Sequence, residues 1–158
     1  MDEAAKKTVL RMIPYGLYVL GTGEKGNLNL ATVNWVTQTA FAPPLVVMGV
    51  KADSGAHALL KSSGNFALSM LKTGQKDQAY AFFKYAEPEG DTVAGQPISY
   101  AENGCPVLNE AAGYVAGKVV EIVEKGDHST VIAEVTEARL FSEAEPLTLK
   151  EIGANYGG

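Results

Sequence analysis

Residues 29–57 read NLATVNWVTQTAFAPPLVVMGVKADSGAH. They parse as two strands joined by a proline-marked bend, then a loop that opens a helix. Side chains alternate across a strand, so Leu28 and Leu30 share a face with Thr32 and Asn34. That face turns from apolar to polar with no turn between, while Val33 and Trp35 stay apolar on the other. Two readings follow: a strand leaving the core for a pocket, or a strand end reaching solvent. Pro43-Pro44 forces an extended entry, as prolines are tolerated at the first residues of a strand. Leu45 to Val50 is apolar on both faces and predicts a central strand covered on both sides.

Lys51-Ala52-Asp53-Ser54-Gly55-Ala56-His57 comes next. A helix from Gly55 to Lys61 is expected, capped by Ser54 or Asp53. The N–H groups at such a terminus attract an anion, and Lys51 and His57 add donors or charge. An ordinary capped helix with a solvated lysine is the alternative. No glycine-rich Walker loop is present, which argues against a nucleoside triphosphate.

Working outward, residues 2–13 have helical patterning that Pro14 ends. Residues 16–22 read as a strand, and Glu24-Lys25-Gly26-Asn27 as a hairpin turn. Downstream, residues 66–71 alternate as a strand. A helix over Asp77–Tyr85 carries Tyr80, Phe82, Phe83 and Tyr85, rings expected mostly in the core. Residues 87–96 are polar and glycine-containing, the segment expected to move. A short strand over 98–100 and a turn at Asn103-Gly104 follow. Cys105 has no basic neighbour and reads as a small core residue, not a nucleophile. Two long alternating strands, 113–123 and 129–141, flank a turn in which Asp127 and His128 are adjacent. That pair can be an oriented proton donor or a simple turn, and the pattern alone favours the turn. Residues 146–150 form one more extended piece, and 153–158 are irregular.

Consecutive strands with few helices predict an antiparallel barrel with helices outside. No GxGxxG follows the first strand, so a Rossmann domain is excluded. The 158 residues fit one domain, 1–158. With 46% hydrophobic and 20% charged residues, the chain is neither disordered nor membrane-spanning. The acidic N-terminus lacks the apolar stretch of a secretory signal. A net charge of −5 argues against nucleic acid, though a local basic spot can still bind phosphate. One cysteine rules out an internal disulfide and suits a reducing, cytoplasmic setting. One Cys and two distant His make no metal site.

The runs YGLYVLGTG, NLATVNWVTQTAFAPPLVVMGV, KADSGAHALLKSSGNFALSML, GCPVL and GDHSTVIAEV stand in this order between Tyr15 and Tyr156. Together they resemble the flavin reductase-like family with the FMN-binding split barrel. The resemblance implies a mainly β fold, a six-stranded Greek-key barrel with flanking helices, working as a homodimer with FMN near the interface. On the matching positions, Asn34, Trp35, Val36, Thr37 and Gln38 would hold the isoalloxazine ring. Lys51, Ser54 and His57 would hold the phosphate. Phe83 and Lys84 match a region that reaches the flavin in some members, and Tyr156 would cover the ring. His128, in the GDH motif, would position the nicotinamide for the catalytic step. The implied activity is NAD(P)H-dependent flavin reduction, with NADH or NADPH as co-substrate and a partner oxygenase or other acceptor taking the electrons. A flavin-bearing electron carrier without its own NAD(P)H reaction, or a cofactor-free dimeric module, are the alternatives. Ala133 replaces a glycine often found in the family. No rubredoxin-like extension or Cys pair follows, so iron-linked transfer would need a separate protein.

Overall fold

The computed structural model describes residues 1–158. Its first helix, α1 (Glu3–Leu10), is shorter than the apolar pattern suggests. Asp2 caps it, its carboxylate accepting from the N–H groups of Ala4 and Ala5 at 2.9 and 3.0 Å. No α1 residue is buried, so Val9 and Leu10 face outward in the single chain, as do Met12 and Ile13 beyond it.

Strands β1 (Tyr18–Glu24) and β2 (Asn27–Val33) form a hairpin around Lys25-Gly26. Gly26 takes the positive φ that the tight turn needs, +95°. Next come β3 (Val36–Phe41), β4 (Pro44–Lys51), helix α2 (Gly55–Ser63) and β5 (Asn65–Met70). After α3 (Lys76–Ala81) come four short strands: β6 (Pro88–Glu89), β7 (Thr92–Val93), β8 (Gln96–Tyr100) and β9 (Pro106–Leu108). The long pair β10 (Gly113–Val123) and β11 (His128–Leu140) completes the set.

The main sheet is antiparallel, in the order β2-β1-β5-β10-β11-β4-β3. Its two edges, β2 and β3, are consecutive pieces of one run broken only at Asn34-Trp35. Counted as a single bent strand, they turn the seven-stranded sheet into the expected six-stranded barrel, split at that bend. Trp35 still belongs to the sheet at the split, since its carbonyl accepts from Gly49 N–H at 2.8 Å. Its indole lies across β4 because residue 49 has no side chain: a Cβ there would sit 2.9 Å from the ring.

The barrel interior is filled by Leu20, Met48, Phe66, Leu68 and Val131, with Ala56 and Leu60 of α2 closing one side. A second cluster packs Leu17, Val19, Leu28 and Leu30 against Phe82 and the segment around Leu147. That segment is sewn on by backbone bonds from Leu17 N–H to Leu147 O and from Leu149 N–H to Tyr15 O.

Several expectations change. The helix α3 stops at Ala81, and of the four rings around it only Phe82 is core, 2% exposed; Tyr80, Phe83 and Tyr85 stand at the surface. The 87–96 segment is a small ribbon of β6 and β7 that plants Val93 in the core, not a loose loop. Leu45, Val46 and Val47 of β4 are only half-buried, since the neighbouring strand is the exposed edge β3. Cys105 is buried as expected, and burial pushes its thiol up to about 12. No helix is long and apolar enough to cross a membrane, and no cluster of three metal-ligating side chains occurs.

Candidate functional site

A cavity of about 450 Å³ opens where the sheet splits. The bend after β2 supplies Thr32, Val33 and Asn34; β4 ends on it at Val50 and Lys51; α2 begins beside it at Ser54. Phe82 and Phe83 come from the end of α3, His128 from the start of β11, and Ala154 to Tyr156 from the C-terminal tail. The lining is mostly apolar with a few polar groups converging, as small-molecule sites are built.

Asn34 is 7% exposed, and its side-chain Nδ2 has no hydrogen-bond partner. The adjacent Trp35 Nε1 is likewise buried and unpartnered. An orphaned buried donor costs about 1–3 kcal/mol, so the Asn34 amide on the cavity lining points to an acceptor carried by a ligand. Thr32, by contrast, is committed: its hydroxyl donates to the carbonyl of Ala79 at 2.6 Å. The polar turn of this strand is therefore half structural and half available.

At the other end of the cavity the exposed Lys51 ammonium is ion-paired with Asp53 at 3.2 Å, a surface pair weak enough for an incoming anion to displace. Ser54 caps α2, its Oγ accepting from His57 N–H at 3.1 Å while donating to Lys51 O at 2.7 Å. The N–H groups of Gly55 and Ala56 precede the first intrahelical bond, Ala58 N–H to Ser54 O, and so remain available. A lysine beside a helix terminus is the kind of arrangement that attracts an anion. The His57 ring takes no part: only 4% exposed, it turns into the barrel, with Nε2 2.8 Å from Ser129 Oγ and 3.9 Å from Glu124. As the third residue of the helix, it faces the core, while its backbone N–H is spent on the cap.

His128 stands between Asp127 and the tail. Its Nδ1 is 3.0 Å from Asp127 Oδ1, and its Nε2 is 2.8 Å from the Tyr156 hydroxyl. A carboxylate only accepts, so Nδ1 carries a proton and donates to Asp127, while Nε2 pairs with the Tyr156 hydroxyl. This hydrogen bond and the imidazole's charge hold the Asp127 carboxyl below the usual carboxylate range. Trp35 packs on both partners, its ring 4.7 Å from His128 and 5.3 Å from Tyr156. The turn thus both orients an imidazole and bonds backbone, joining two readings that the sequence held apart.

Asn34, Lys51, Ser54, Phe83, His128 and Tyr156 line one cavity, with Trp35 beside it. Val36, Thr37 and Gln38 do not; they run along edge strand β3, where Gln38 bonds the carbonyl of Ala40. Lys84 also lies off the lining, exposed past the end of α3. Sequence reasoning missed Asn155, for which residues 153–158 carry no periodic signal. It also missed Arg11, whose Nε donates to Gly157 O at 3.1 Å and ties the tail down. Arg11 is the C-cap of α1, and no local pattern marks a contact with the far end of the chain.

Residues 10–156 match the family model of the flavin reductase like domain. Diflavin flavoprotein A 1 of Synechocystis sp. is 33% identical over 161 residues, covering 99% of this chain but 28% of its own length. The chain thus spans little more than a quarter of that relative. The reductase component of the 4-nitrophenol 4-monooxygenase/4-nitrocatechol 2-monooxygenase of Rhodococcus opacus is 29% identical over 139 residues, covering 88% of this chain and 73% of the relative. Among solved structures, the Streptomyces globisporus C-1027 NADH:FAD oxidoreductase superposes with a TM-score of 0.76 at 27% identity, over 86% of this chain and 81% of that one. The styrene monooxygenase flavin reductase of Pseudomonas putida S12 gives a TM-score of 0.75 at 27% identity, over 90% of this chain and 89% of that one.

Proposed function

The chain belongs to the flavin reductase-like family, and on that premise we propose that it is an oxidoreductase that binds FMN and reduces it with NADH or NADPH. The observation that carries this is the unpartnered donor Asn34 Nδ2 on the lining of an apolar cavity that has a lysine and a helix terminus at its other end, with a second unpartnered donor, Trp35 Nε1, on the neighbouring residue. A flat heteroaromatic ring edged with acceptors, joined to a phosphate, satisfies both ends. The cavity's residues therefore fit FMN.

Bound FMN supplies the ring that accepts a hydride, and the protein supplies orientation and electrostatics. Asn34, with Trp35 beside it, would hold the edge of the ring by donating to its acceptors, where negative charge gathers on reduction. Lys51 and the N–H groups of Gly55 and Ala56 hold the phosphate. Asp127 holds the His128 ring through Nδ1, which leaves Nε2 on the cavity lining, against the Tyr156 hydroxyl. With Tyr156 displaced, that nitrogen is free to orient the nicotinamide carboxamide, a positioning role that brings donor and acceptor rings together.

Val36, Thr37 and Gln38 enter this reading through a second copy of the chain. Edge strand β3 and the half-buried outer face of β4 present Phe41, Leu45 and Val47, with Phe41 92% exposed. A homodimer covering that face brings the bend at Asn34 to an interface. The working unit is taken as one domain in the cytoplasm, and a partner oxygenase is the natural recipient of reduced FMN, by analogy with the Rhodococcus reductase component.

Anaerobic mixing of the FMN-loaded protein with NADH and with NADPH tests the proposal. Rapid bleaching of the oxidised flavin band is expected with at least one of them. A second reading, an electron carrier, has support in the diflavin flavoprotein, which contains a match to 99% of this chain as one part of a longer protein. A yellow protein that neither nucleotide bleaches, but that a chemical reductant does, selects the carrier.

A further inference from the structure

We propose that a second cavity, on the other side of the tail, binds the phosphate-bearing half of a dinucleotide whose remaining half reaches the first. This cavity has a volume of about 600 Å³. It lies between the end of α1, the segment leading into β1, the Pro146–Lys150 segment and the tail. The charged side chains on its wall are Arg11 and Lys150, and no acid lines it. In a chain of net charge −5, that local balance selects an anion. Neither cation has a salt-bridge partner. Arg11 spends only Nε, on Gly157 O, which leaves the outer nitrogens of a planar fork suited to phosphate oxygens. Pro14, Tyr15 and Pro146 give the same cavity flat apolar walls against which a base can lie.

The two cavities share Leu149, Ala154, Asn155 and Tyr156. The tail is thus their common wall, and Tyr156 occupies His128 Nε2 on one side of it. A ligand with an anionic head and an aromatic head can seat the first on Arg11 and Lys150 and bring the second to His128. The identity of that aromatic head as nicotinamide rests on the reductase reading; the anionic seat does not.

Calorimetry with ADP-ribose, which has the pyrophosphate and base but no nicotinamide, tests the seat on the FMN-loaded protein. Binding is expected in the wild type, weakened severalfold by Lys150→Gln and by about tenfold or more in Arg11→Gln/Lys150→Gln. Lys25→Gln, at the β1–β2 turn, leaves it unchanged. Arg11 also tethers the tail, so the Lys150 variant, which has no such role, must show the effect alone. Trp35 is the sole tryptophan, and its emission reports whether the tail stays seated. In turnover, KM for the preferred nucleotide rises in the double variant, while the rate with 1-benzyl-1,4-dihydronicotinamide, which lacks phosphate, stays the same. No ADP-ribose binding by the wild type, or equal affinity in the double variant, overturns the proposal. So does inorganic phosphate binding as tightly as ADP-ribose, which marks an adventitious ion only. If neither dihydronicotinamide bleaches the flavin, the reductase reading fails while the ADP-ribose arm still decides the seat.

Discussion

Asn34 shows most plainly how single residues trade stability against binding. Its buried Nδ2 lacks a partner, so in the flavin-free protein it is a cost. Asn34→Leu, similar in shape and without the donor, should raise the stability of the flavin-free protein by about 1 kcal/mol in denaturant titration and weaken FMN binding. Loss of both stability and binding would mean that the amide has an acceptor inside the fold. Lys51 separates the two ends of the cavity. Lys51→Ala should weaken FMN about tenfold and riboflavin hardly at all, since only FMN carries the phosphate; equal losses would remove the anion seat from residues 51–56. Cys105 offers a pH test. With its thiol pushed up to about 12 by burial, the thiolate is scarce at any pH the fold tolerates. A raised thiol value favours the neutral form, so the group costs stability only as pH climbs past its unfolded value. Alkylation of the native protein at pH 8 should be very slow and should become fast on adding denaturant. These roles were partly legible: a strand face that turns polar marked Thr32 and Asn34 as unusual. Which of them was free was not, because that depends on whether the Ala79 carbonyl, far off in sequence, reaches the hydroxyl.

Elements were the most legible level. Helix α2 follows its cap and its terminal glycine, Ser54 and Gly64, because both signals act within one turn of chain. The β1–β2 hairpin, β5, β10 and β11 likewise follow alternation and turn residues. Irregularities within elements come from distant contacts. Gly117 sits at a register shift of β10, and a Cβ there would lie 1.9 Å from the carbonyl oxygen of Glu134 on β11. Gly117→Ala should therefore cost about 2–4 kcal/mol, read as a lowered Tm, with no new chemistry at the site. A near-neutral result would show that the bulge relaxes freely. Helix α3 ended early for a related reason. Phe82 is drawn into the core through its packing with Leu17 and Leu28, and Phe83 is thereby turned toward the cavity mouth.

At the scale of the whole molecule, the exposed edge is the place to test the proposed association. Phe41→Glu places a charge on the face assigned to the second copy, and it should convert a dimer to a monomer in sedimentation while lowering flavin affinity. A dimer that persists would move the interface to α1, whose Val9 and Leu10 are also uncovered. The sequence by itself determined the antiparallel class, the hairpins, the capped α2 and the run that bends at Asn34-Trp35, because hydrophobic period and turn chemistry are local and act on neighbouring residues. It also marked residues 51–57 as a candidate for anion binding, although it could not turn the ring of His57 away from it. Only tertiary structure folded the sheet round until β2 and β3 became its two edges. Only tertiary structure brought Tyr156 onto His128 and Trp35, and set Arg11 beside Lys150. Such encounters join residues more than 20 positions apart, and no periodicity encodes them: they are fixed by which surfaces bury best once the barrel has curled.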